Sequence, residues 1–191
     1  MVLLQSSRYE ELKKIGTDII IDAGITDYPF DVFKVARDLD IEVISYQSLS
    51  DKKKEICFQE SEDGFSLLAV IKGKSQWQVY YNSEMNDERI RFTIMHEISH
   101  ISADHKDGNE VEESEANFIA SFVLAPPCIM HRKKVEDYVD LANEFNVSFT
   151  MAHYHIDSYN NWLRYGSRDY TDYEEKIISI YRPKGDAYAT T

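Results

Sequence analysis

The chain has 191 residues, 43% hydrophobic and 13% aromatic, which is enough to bury a core and too apolar for a disordered tail. Its 34 acidic and 21 basic side chains give a formal charge of −13, which repels a polyanion and argues against direct nucleic-acid binding. No apolar run approaches the ~20 residues of a membrane span, and the start MVLLQSSRYEELKK has neither a basic leader nor a small-residue cleavage site. A cytoplasmic protein with no membrane association is expected. Cys57 and Cys128 form no CxxC pair and read as idle thiols of a reducing compartment.

In chain order, Ser7 followed by Glu10 has the capping-box pattern, and Arg8 to Ala23 carries Leu12, Ile15, Ile19 and Ile20 at helical spacing before Gly24 closes the segment. A second, shorter helix is expected to open near Pro29, with Phe30, Val32, Phe33, Val35, Ala36 and Leu39 as its apolar positions. The period then changes. Ile41 to Tyr46 alternates like a strand, Ile56 to Phe58 is a shorter strand candidate, and Phe65 to Lys72 and Trp77 to Tyr81 complete the set. Gly64 and Gly73 punctuate this run, and residues 73–76 read as a hairpin turn. A three- or four-stranded, largely antiparallel sheet follows. Placed at an edge, Trp77 to Asn82 would pair with an extended peptide; placed centrally, it is simply core sheet.

From Asn86 the helical period returns. Asn86 is a suitable N-cap, Asp87 and Glu88 put acids in the first turn, and Ile90, Ile94, Ile98 and Ile101 make an apolar stripe. A further helix spans about Val111 to Leu124 and must stop before Pro126-Pro127. Helical segments follow near 134–145, 148–162 and 172–181, and 182–191 reads as a loose tail. Leu141 to Ala152 looks loosely like a helix-turn-helix with Asn146 in the turn. With only Arg164 and Arg168 as nearby downstream basic residues, it reads as a docking or lid-like element rather than a DNA reader.

The chemistry is carried by His96-Glu97-Ile98-Ser99-His100. Two histidines four apart on a helix project from one face and reach the same metal ion. Glu97 points about a quarter-turn away, beside a metal-activated water rather than on the metal, where it serves as the catalytic base. Catalytic zinc takes three protein ligands and keeps one position open, so a third ligand is needed. The next helix supplies Glu112, Glu113 and Glu115, provided the loop from Asp104 to Gly108 folds it back on the first. The plain alternative is an amphipathic helix with two polar histidines, and the acidic second helix weighs against it.

RFTIMHEISH followed by EESEANFIASFVLAP resembles the ImmA/IrrE metallopeptidase family, whose marks are HExxH and then ExEANxFA with an LLMP-like end. The resemblance covers about residues 8–130 and includes the VARDLDIEVI segment and the strand ending at Asn82. Ile119 stands where that family has Phe, and Val-Leu-Ala-Pro replaces Leu-Leu-Met-Pro; both are apolar exchanges in a packing stretch. On the second helix Glu113, Asn117 and Ala120 share a face, with Ala116 alongside, whereas Glu115 aligns with Phe118, Ile119 and Phe122. Glu113 is therefore preferred as third ligand, with Glu115 left open, and Asn117 is a candidate to hold a ligand histidine. His105 lacks the metzincin spacing and reads as a surface or capping histidine. His131, His153 and His155 read as packing or surface residues.

Together these readings predict an α+β fold: a zincin-like domain over 1–132, with a small mainly antiparallel sheet packed on helices, then a helical C-terminal part over 133–181. The site is Zn²⁺ on His96, His100 and Glu113, with Glu97 as base. The resemblance implies a cytoplasmic metalloprotease that cuts a protein partner, a repressor-like DNA-binding regulator of the phage or mobile-element kind, on a separate chain. The alternatives are an anti-repressor that displaces such a regulator without cleaving it and, more remotely, a toxin–antitoxin component.

Overall fold

The computed structural model describes residues 6–166 and 169–183. The first helix, α1 (Ser6–Asp22), buries Leu12, Ile19 and Ile20, and the chain leaves it through Gly24 at a left-handed φ of 58°. Ser7 lies inside this helix, not ahead of it, so the expected capping box does not form there; Glu10 instead accepts from the Lys13 ammonium at 2.6 Å. The next helix, α2 (Val32–Asp38), opens at Asp31 rather than Pro29, because the Asp31 carboxylate accepts from the amides of Phe33 and Lys34.

Strand β1 (Glu42–Ser45) runs into a 3-10 turn (Tyr46–Ser48) and then α3 (Asp51–Glu60). Ile56 to Phe58 therefore belongs to a helix, which corrects the strand expected there. Three residues cannot separate a period of two from one of 3.6, and the preceding Asp51-Lys-Lys-Lys-Glu55 is built of helix formers with an acid in the first turn. Strands β2 (Gly64–Ile71) and β3 (Lys74–Tyr81) form a hairpin. Its turn is Lys72-Gly73, with φ of 50° and 79°, rather than residues 73–76; two successive positive φ values match the right-handed twist of the strands.

The sheet order is β1-β3-β2. β3 pairs antiparallel with β2 over its full length and parallel with the short β1, so the sheet is mixed. Trp77 to Tyr81 is thus the central strand, which removes it as a peptide-pairing edge. Among the described residues the edges of the sheet are β1 and β2, and the longer β2 carries the exposed Leu68 and Val70.

The sheet packs on α4 (Asp87–Ser102), which also meets α5 (Glu110–Leu124). A short α6 (Pro127–Arg132), with Pro127 in its first turn where a missing amide costs nothing, was not foreseen. The expected C-terminal helices are α7 (Tyr138–Phe145), α8 (Phe149–Tyr165) and α9 (Asp172–Ile180). Ile94 and Ile98 of α4, Ile119 of α5, Leu141 and Phe145 of α7 and Ile177 of α9 belong to one buried cluster, with Leu12 and Ile20 of α1. Asn146, in the left-handed turn between α7 and α8, donates to Asp87 at 2.8 Å, and its carbonyl accepts from Arg91 at 3.1 Å. The helix-turn-helix-like turn is in this way fastened to α4. Cys57 and Cys128 are buried free thiols. Among the described residues no helix is long and apolar enough to cross a membrane. Of the expected tail, Arg182 donates its amide to Thr26 at 2.6 Å and residues 184–191 lie outside the described part.

Candidate active site

The site is built on α4. Asn86 caps this helix by accepting from the Arg89 amide, and Ile94, Met95 and Ile98 anchor its inner face with no exposed surface. Farther along the same face, the buried Arg91 guanidinium donates to the carbonyls of Phe30 and Asn146, holding the helix to both neighbouring loops. A helix fixed in this manner presents His96 and His100 one turn apart, with their Nε2 atoms 3.0 Å from each other.

The third group comes from α5, which Asn109 starts by accepting from the amides of Val111 and Glu112. Glu113 Oε2 lies 3.3 Å from His96 Nε2, and its Oε1 lies 3.3 Å from His100 Nε2. With ligand bonds of ~2.0–2.1 Å, a tetrahedral zinc ion holds its ligand atoms ~3.3 Å apart. The observed separations of 3.0, 3.3 and 3.3 Å fit that figure. Among the described residues this is the one cluster of three or more histidine, cysteine or carboxylate groups close enough to hold a metal. Burial drives the His96 pKa down, against the pull of Glu113, and drives that of His100 to about 4, helped by its proximity to His96. Both rings are neutral at pH 7, as metal ligation demands. Asn117 interacts with His96 from α5, although His96 Nδ1 is itself buried without a hydrogen-bond partner.

Glu97 faces the other way, toward β2. Its Oε2 accepts from the Ser66 hydroxyl at 2.8 Å, and the residue is only 9% exposed. Burial pushes its carboxyl up to about 7; the Ser66 hydrogen bond opposes this rise and the charge of Glu113 adds to it. A carboxyl poised near neutrality both accepts and returns a proton with little free-energy cost. Sequence reasoning had no local signal for Ser66, which reaches Glu97 only because β2 lies over α4.

Glu115 is placed elsewhere. Arg8 of α1 holds it in a two-point ion pair, Nε to Oε1 at 2.7 Å and Nη2 to Oε2 at 2.5 Å, and its Oε2 also meets His105 Nε2 at 3.1 Å. His105 proves to be buried at its side chain (5% exposed) and paired with the ring of His100, Nδ1 to Nδ1, at 3.0 Å. It does not sit at the surface. Its position follows from the end of α4: Asp104 adopts a left-handed φ of 54°, and the His105 amide bonds back to the His100 carbonyl at 3.1 Å. His131 and His153 are exposed and lie against Trp162 and Tyr138, respectively, whereas His155 is buried and donates to the Ala125 carbonyl at 2.8 Å.

The histidines, Glu97 and Glu113 line a cleft of about 840 Å³, bordered by Phe65 and Ser66 of β2 and by Asn117 of α5. A mixed sheet over a helix carrying HExxH, with a carboxylate brought in by the following helix, defines a zincin-like metallopeptidase domain. A model of the IrrE N-terminal-like domain matches residues 36–157, well over half the chain, and the protein belongs to that metallopeptidase family. No curated protein matches the sequence.

Proposed function

We propose that this chain is a zinc-dependent peptidase that hydrolyses a peptide bond in a protein partner, and that the partner is a repressor-like DNA-binding regulator. The observation that carries the reading is the convergence of His96, His100 and Glu113 at tetrahedral spacing, with Glu97 held in the same cleft. When bound, zinc supplies Lewis acidity, which brings the pKa of water from 15.7 toward ~7 and polarises the scissile carbonyl.

The protein's own groups do the rest. Glu97, near neutral in pKa, takes a proton from the attacking water and returns it to the leaving amine. Ser66 fixes the carboxylate's orientation so that little rotation is lost at that moment. Among the described residues the outer edge of β2 pairs with no further strand, and near Ser66 it lies beside this carboxylate, where it can take an extended segment of substrate. The formal charge of −13 favours a basic partner, and a DNA-binding regulator is one.

The test is incubation of helix-turn-helix repressors encoded beside the gene with zinc-loaded wild type and with Glu97→Gln. Cleavage at one position by wild type, absent with Glu97→Gln at equal zinc content, supports the reading. Relief of repression by both proteins with the repressor intact would replace cleavage by displacement.

A further inference from the structure

Beyond the three ligand positions, the structure contains a continuous line of polar groups running from α1 to the ring of His100. The Arg8 guanidinium grips Glu115 at two points, Nε to Oε1 and Nη2 to Oε2, the forked pairing that a carboxylate makes. An ionised Glu115 can only accept, so His105 Nε2 must be the donor in their 3.1 Å contact. With one proton on the ring, placed on Nε2 by this contact, His105 Nδ1 is the acceptor. Its 3.0 Å contact with His100 Nδ1 therefore requires the hydrogen on His100 Nδ1. That leaves the lone pair of His100 on Nε2, the atom that faces His96 and Glu113. Every polar group in the line has one consistent role.

We propose that His105, held by Glu115 and Arg8, is a positioning residue that fixes the Nδ1–H tautomer of His100 and aims its Nε2 lone pair at the metal. The proposal rests on the reading of His96, His100 and Glu113 as the ligand set. His96 has no comparable line of groups behind its Nδ1, which is buried and unpartnered, and Asn117 of α5 is the neighbour that interacts with this ring, so the two ligand histidines are held differently. The line also ties the metal centre to α1, since Arg8 lies 107 residues from Glu115 in sequence. Such outer partners are worth ~10–100-fold in metal affinity.

The decisive pair of variants is His105→Phe, which keeps a planar ring and removes the acceptor, and His105→Gln, whose amide oxygen can still accept from His100 Nδ1–H. Zinc affinity is read by competition with a chromophoric chelator, and the tautomer of His100 in the metal-free chain is read from its ring nitrogen shifts by NMR. The expected result is a ~10–100-fold weaker zinc affinity for His105→Phe. His105→Gln should recover most of it, and the metal-free wild type should show hydrogen on Nδ1 of His100. A purely packing role predicts the reverse order, with Phe tolerated better than Gln. Equal affinity of both variants with wild type, or hydrogen on Nε2 of His100 in the wild type, overturns the proposal. His100→Ala separates the two levels: if it binds zinc as wild type does, the ligand reading fails, whereas loss in His100→Ala beside an unaffected His105→Phe sinks the positioning role alone. Should His105→Phe not fold, Glu115→Ala tests the same line one step farther out, with a weaker zinc affinity expected and an unchanged one contrary.

Discussion

Replacement of Glu113 by alanine separates metal binding from folding more cleanly than any other change at this site. Its carboxylate meets His96 and His100, yet the side chain is 49% exposed, so its removal opens no cavity and strands no buried partner in the metal-free chain. Surface changes of that kind move stability by less than about 0.5 kcal/mol. The effect on zinc is of a different order. Structural zinc sites gain ~10–16 kcal/mol from four ligands, which assigns about 3 kcal/mol to one of them, or a roughly 100-fold loss in affinity. Chelator competition gives the affinity, and urea denaturation of the metal-free protein gives the stability. Glu112→Ala is the internal control. Glu112 accepts from the amides of Lys106 and Asp107 and holds the loop between the two helices, so its loss should lower stability and leave the three ligands in place. Wild-type zinc affinity in Glu113→Ala would refute the ligand set, and a large loss of metal-free stability in that variant would refute the view that the carboxylate serves the metal alone.

Two further outcomes concern the scaffold. At Gly16 an added methyl group would stand 2.6 Å from the buried Phe122 ring, where α1 meets α5; the gain of ~1 kcal/mol expected for Ala over Gly within a helix is outweighed by overpacking of ~1–3 kcal/mol, so Gly16→Ala should lower Tm in a thermal melt, and a rise would show that the helices separate freely. His155 is held neutral by burial, its pKa lying below 6.5; the unfolded chain takes up a proton that the folded chain refuses, so this group's contribution is present above pH 6.5 and is lost as pH falls below it. His155→Gln, which keeps a donor for the Ala125 carbonyl, should therefore narrow the difference in unfolding free energy between pH 7.5 and 5.5, and an unchanged difference would count against this assignment.

What could be read from the sequence, and what could not, divides by the distance over which a residue acts. Asn86 and the isoleucines of α4 write a helix within sixteen residues, and that alone sets His96 above His100. The preference for Glu113 over Glu115 is also local, since the two differ by two positions and so by half a turn on α5; in the structure Glu113 meets His96 and His100, and Glu115 meets Arg8 and His105. Ile56 to Phe58 failed because three residues carry no usable period. The sheet order failed for a different reason. Trp77 to Tyr81 has the same apolar alternation in the middle of a sheet as at its edge, and only the crossover that lays β1 parallel beside it decides the matter.

The groups that sequence reasoning missed are those that pair across the fold. Ser66 meets Glu97 across 31 positions, and Arg8 meets Glu115 across 107. His105 is the instructive case, because it lies five residues after His100 and seemed open to local reading. Its spacing does not fit a metzincin ligand and suggests a surface or helix-capping side chain; the bond to the His100 carbonyl is made by the His105 backbone amide, while the ring meets His100 and Glu115 instead of capping a carbonyl. Burial, however, depends on Glu115 closing over it from α5 and on Arg8 closing over Glu115 from α1. A histidine at a helix end is a surface group until a second element brings it an acceptor, and once it has one its tautomer is determined. The same local conformation thus serves as a plain cap or as the support of a ligand, and the carboxylate that decides between them lies on a different helix.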